Sequence, residues 1–137
     1  MKKLYSPTQI GVSAFFGGPI AIVYLLKQNF KTLGDINNEK ATIFFGAIFV
    51  AILMCLIPFL PDNFPNKIIP TTYTIITVGI TSKYQMKKAD IAESDDYDFQ
   101  SSWKVLIISI LSILAFLALV IMVGLSLEKL GYISLDE

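Results

Sequence analysis

The chain has 137 residues, eleven lysines against eleven acidic residues, no histidine, and 54% hydrophobic residues with a mean hydropathy of +0.63. That is more apolar surface than a soluble globule of this size buries, and the balanced charge leaves no basic field for nucleic acid. With no Arg, no His and a lone Cys55, the side chains that usually clamp phosphate, relay protons or ligate metal are missing, so neither enzyme, cofactor nor metal site is expected.

Every charged residue lies outside four stretches: Leu4–Leu26, Ala41–Pro61, Ile68–Ser82 and Val105–Leu127. A charge at a bilayer centre costs roughly 2.5–3.5 kcal/mol on insertion scales, so spanning segments exclude them. The partition predicts an all-α integral membrane protein, a single domain over 1–137, with spans at about 7–26, 41–60, 67–84 and 104–128.

The first segment opens on Ser6-Pro7-Thr8-Gln9, a capping box with proline at the first helical position. It then meets Gly17-Gly18-Pro19. Pro19 cannot donate to the carbonyl of Phe15, so a kink is expected there. Ser13, Gly17 and Ala21 share one face, as do Ala14 and Gly18, and small residues let a neighbouring helix approach closely. The expectation is a kinked span packed on a partner helix; the alternative is a binding break whose freed backbone groups hold a substrate or ion. Met1-Lys2-Lys3 resembles the start of a signal peptide, but the polar Ser-Pro-Thr-Gln that follows and the lack of an A-x-A-like site argue against cleavage.

In the second segment Asn37 or Asn38 is expected to cap the start, with Pro58 and Pro61 at the end. Ala47, Ala51 and Cys55 recur every fourth residue, predicting a close helix contact with Cys55 packed inside it. The third segment is short for a span, ~22 Å of helix against a ~30 Å hydrocarbon layer, and needs Lys67 and Lys83 to snorkel. Thr71, Thr74, Thr77 and Thr81 fall on one helical face, expected to point into the bundle. The polar loop 85–102 runs from basic to acidic, with helix expected to continue over Ser82–Glu93. Asp95-Asp96-Tyr97-Asp98 lacks the glycine and terminal Glu of a calcium loop and reads as a solvated acidic stretch. The last segment, flanked by Trp103 and Tyr132, is long enough to span with some tilt.

The run Tyr5-Ser6-Pro7-Thr8-Gln9-Ile10, then Phe15-Phe16-Gly17-Gly18-Pro19-Ile20-Ala21, then Asn29-Phe30-Lys31 and Leu33-Gly34, resembles the opening of a group of small uncharacterised bacterial multi-pass inner-membrane proteins. The Ser102-Trp103 entry to a long final helix is similar as well. The resemblance implies a bacterial inner-membrane protein and carries no catalytic or binding residues.

The expected architecture is therefore a bundle of four transmembrane helices, the first kinked and the third short. With four spans, seven lysines flank the first and third loops and four flank the termini and second loop, placing both termini outside. If the third segment does not cross, the N-terminus moves inside. The leading functional expectation is a non-enzymatic protein acting through contacts with a membrane-protein partner or a second copy of itself. The alternative is a small transport or channel subunit that forms a path by oligomerising.

Overall fold

The computed structural model describes residues 1–132; positions 133–137, the end of the expected domain, lie outside the described residues. The chain is mainly helical: strand β1 (Lys2–Leu4), then α1 (Pro7–Leu33), α2 (Ile36–Leu56) with a 3-10 turn at Ile57–Phe59, α3 (Ile68–Tyr84), the short α4 (Lys88–Ala92), strand β2 (Tyr97–Phe99) and α5 (Ser102–Lys129). Among the described residues three helices are long and apolar enough to cross a bilayer, by length and composition: α1, α2 with its 3-10 extension, and α5.

Helix α1 starts as its sequence dictates. The Ser6 hydroxyl accepts from Gln9 N (3.2 Å), and the Gln9 side chain accepts in return from Ser6 N (2.9 Å). It is not a single kinked rod, however. Gly18 sits at φ 74°, ψ −168°, outside any helical conformation, and the chain reverses there. In a continuous helix Tyr5 and Asn29 would stand ~36 Å apart, yet Tyr5 N donates to Asn29 Oδ1 at 2.9 Å. The two arms, Pro7–Gly17 and Pro19–Leu33, thus lie antiparallel as a hairpin. This corrects the expected single kinked span over 7–26: Gly17-Gly18-Pro19 is a fold-back.

The hairpin is the centre of the molecule, and α2, α3 and α5 all pack on it. Within its apolar window 61% of α1 is buried, against 22% for α5 and 6% for α2. The core gathers Ile10 and Ala14 from the first arm, Ile22, Leu25, Leu26 and Phe30 from the second, and Val105 from α5. Helix α2 leaves the second arm through a left-handed Gly34 (φ 77°) and is capped by Asp35, which accepts from Asn38 N (3.0 Å), so neither Asn37 nor Asn38 is the cap. It runs antiparallel to the second arm, with Gly46 against Val23.

Connectivity then fixes which end each element occupies. One end, here the near end, holds Tyr5, Asn29, the start of α2, the end of α3, both strands and the start of α5. At the opposite, far end lie Leu56, the turn after it, the start of α3 and the end of α5. Helix α3 does not continue through Glu93 as expected: it stops at Tyr84, Gln85 is extended, and α4 is separate with Ile91 buried. The stop coincides with the Gln85 side chain reaching back to the hairpin.

Candidate functional site

Two polar clusters carry most of the specific geometry, one at the hairpin tip and one at the near end. At the tip, Ser13, Gly17, Gly18, Pro19 and Ala21 are all buried. A Cβ on Gly17 would come within 2.8 Å of both the Ser109 Cα of α5 and the Ala21 Cβ of the returning arm. Glycine is required there because two backbones converge on it. Ser13 Oγ and Ser109 Oγ are 2.7 Å apart, and Ser109 Oγ donates its proton to Val105 O (2.8 Å), so Ser13 is the donor of the pair. The space beside Gly18 is bounded by Ile113 and Phe116, at the middle of α5. The ~16 Å first arm therefore ends about halfway along the apolar length of α5.

The threonine face is only partly internal. Thr77 and Thr81 are buried, and their hydroxyls donate to carbonyls one turn back, Tyr73 O (2.6 Å) and Thr77 O (2.8 Å). Thr71 is exposed, which corrects its expected inward placement: it lies in the first turn of α3, at the far end, beyond the depth the hairpin reaches. Thr74 is half-buried, with an Oγ1 that is out of solvent and unpaired. The small face of α2 also points the other way from the expectation. Ala47, Ala51 and Cys55 are exposed, and the helix meets α1 through Gly46 instead; Leu53 is its one buried residue. Between α2 and α3 an apolar groove of about 440 Å³ opens sideways, floored by Ile22, Val23 and Leu26.

At the near end, Asn29 closes the hairpin. Its Oδ1 accepts from Tyr5 N, and its Nδ2 donates to Tyr5 O (2.7 Å) and to Gln85 Oε1 (2.9 Å). Gln85 Nε2 donates in turn to Leu26 O (3.1 Å), which ties the end of α3 to the second arm. Gln9, already part of the capping box, donates to Gln100 O (2.7 Å) just before α5. Burial, together with the neighbouring Tyr24, pushes the Tyr5 phenol up, so it stays neutral.

The acidic stretch is not simply solvated. Tyr97–Phe99 pairs in parallel with Lys2–Leu4, with Lys2 N donating to Asp96 O (2.9 Å) and Gln100 N to Leu4 O (2.8 Å). Lys3 forms an ion pair with Asp98, and the hydrogen bond from Lys3 holds that carboxyl below the usual carboxylate range. A depressed carboxylate stabilises the fold above its unfolded pKa and stops doing so as pH falls through its folded pKa. The strand clasp is therefore expected to loosen in acid, below the usual carboxylate range. Amide exchange at Lys2 and Gln100 should accelerate there, and Asp98→Asn should exchange fast already at neutral pH with no further acid step.

None of the near-end contacts was legible as a site. Asn29 and Gln85 are single amides far apart in sequence, and their only signal is that uncharged polar groups near apolar stretches need partners. Gln9 is marked by its capping box, but its bond to the Gln100 carbonyl is not. Comparison with family models, with curated proteins and with solved structures finds no match to this chain.

Proposed function

We propose that the chain is a small, non-enzymatic multi-pass protein of the bacterial inner membrane. In this reading α2, α3 and α5 cross the bilayer, while the α1 hairpin enters from the near side and returns to it. Helix α3, 17 residues and ~25 Å long, must run from far end to near end because α2 ends at one and Gln85 is bonded at the other. The hairpin places Lys2, Lys3, Lys27, Lys31, Lys40, Lys83, Lys87, Lys88 and Lys104 at the near end and only Lys67 and Lys129 at the far end. That asymmetry favours a cytoplasmic near end, with the N-terminus inside and the chain leaving α5 on the outside. The bacterial assignment rests on the resemblance of the opening sequence.

The protein is proposed to act through contacts with another membrane protein or a second copy of itself, as an assembly subunit, modulator or immunity-type protein. The observation that carries this is α2, which turns Ala47, Ala51 and Cys55 away from the rest of the chain, where a second helix can approach closely. A transport or channel role has one observation on its side, the unpaired Thr74 hydroxyl. Against it, Ser13, Ser109, Thr77 and Thr81 are engaged with one another or with their own helices.

Two measurements test the reading. In spheroplasts an N-terminal epitope tag should resist external protease while a C-terminal one is cleaved; a cleaved N-terminal tag overturns the topology. Crosslinking through the native Cys55 in membranes should trap one discrete species, and Ala51→Leu should abolish it. If Cys55 yields only monomer and is freely alkylated, the contact reading fails.

A further inference from the structure

At the near end a pocket of about 420 Å³ lies between the second arm of α1 and the start of α5. Its polar wall carries Tyr24, Gln28, Gln100 and Lys104, and its deeper wall Ile107 and Ile108. We propose that it binds an anionic glycerophospholipid, with the phosphate on Lys104 and the acyl chain descending along the two isoleucines. The proposal rests on the membrane reading above, in which α5 crosses the bilayer.

Charge singles out this ligand. Lys3 also borders the pocket, but its ammonium is taken by Asp98, the one ion pair among the described residues. Among the described residues Lys104 has no carboxylate partner, and none of their Asp or Glu side chains lines the pocket. A phosphodiester supplies the missing counter-charge, and its oxygens suit the donors around it: the Gln28 and Gln100 amides and the Tyr24 hydroxyl. Depth agrees. Lys104 is the last charge before the uncharged stretch Val105–Leu127, which is headgroup level, and Ile107 and Ile108 begin the hydrocarbon one turn deeper. The groove between α2 and α3 has no charged residue in its lining and selects no such ligand.

The test uses the purified full-length protein in detergent, titrated with phosphatidylglycerol, phosphatidylcholine or inorganic phosphate and read by native mass spectrometry and thermal midpoint. Phosphatidylglycerol should bind and raise the midpoint, phosphatidylcholine should bind at least several-fold more weakly, and inorganic phosphate should leave the midpoint unchanged. Lys104→Gln should weaken phosphatidylglycerol binding about fivefold, the worth of one interfacial lysine, whereas Lys129→Gln at the far end should not. Equal binding by Lys104→Gln and the native protein overturns the proposal, as does a midpoint shift with phosphate alone. Because binding in detergent is independent of orientation, an inverted topology would be seen only with the terminal tags.

Discussion

Replacing Gly18 by alanine is expected to destabilise the protein by about 1–3 kcal/mol, because its φ of 74° and ψ of −168° lie in a region essentially restricted to glycine. The sign of the effect is the decisive point. In a continuous helix with a modest bend, Gly→Ala would stabilise by up to about 1 kcal/mol through helix propensity. Space does not confuse the comparison, since the nearest atom to a Cβ there, Ile113 Cδ1, is 3.6 Å away. Gly17→Ala should cost a similar amount for a different reason: its Cβ would press on the Ser109 backbone at 2.8 Å, which a side-chain rotation cannot relieve. The two residues are adjacent and share the turn, so the double variant should not show the sum. Thermal or denaturant unfolding in detergent reads all three, and an unchanged or raised midpoint for Gly18→Ala would refute the fold-back.

Asn29→Leu is the second substitution with a large expected effect, about 2–4 kcal/mol. It strips partners from Tyr5 N, Tyr5 O and Gln85 Oε1 at once, and each polar group left unpaired in a buried setting costs about 1–3 kcal/mol. The N-terminal strand should also detach, so proteolysis near Lys2 and Lys3 should accelerate well before global unfolding. Asn29→Asp separates hydrogen bonding from shape. Its second carboxylate oxygen would face Tyr5 O and Gln85 Oε1, both acceptors, which raises the folded pKa of the new acid. Stability should then return as pH falls through that raised value, where a proton restores the missing donor. Leucine has no such recovery, and a pH-independent deficit in Asn29→Asp would mean that the donor at Nδ2 is not what holds the hairpin shut.

How much was legible beforehand depended on the range over which each feature is encoded. The capping box of Ser6, Pro7 and Gln9 is local and folds as written. So does the position of the break at Gly17-Gly18-Pro19, since proline cannot continue the hydrogen-bond ladder. Its angle is not local. A run of apolar residues from Leu4 to Leu26 is equally compatible with one long helix or with two short arms, and the Gly18 conformation together with the Asn29–Tyr5 contact selects the second. In α2 the spacing of Ala47, Ala51 and Cys55 puts them on one face but cannot say which way it looks, and the expected contact inside the chain is not there. A helix apolar on all sides has no hydrophobic contrast to orient it. In α3 the threonines do mark a face, but how far along the helix it is covered depends on where the hairpin ends, so Thr77 and Thr81 are buried and Thr71 is not. The β1–β2 pairing joins three-residue strands some ninety positions apart, too short to carry a periodic signal.

The sequence by itself determined which long segments are apolar and free of charge, the capped start of α1 and the place where that helix breaks, because charge exclusion and backbone chemistry act residue by residue. Tertiary structure decided the path of the chain. It turned α1 back on itself and brought the two N-terminal lysines to the same end as seven others, so a charge balance of seven against four became nine against two. That step needed amide side chains at Asn29, Gln85 and Gln9 to find partners across the fold, and such pairings are set by where the helices pack, which no local pattern records.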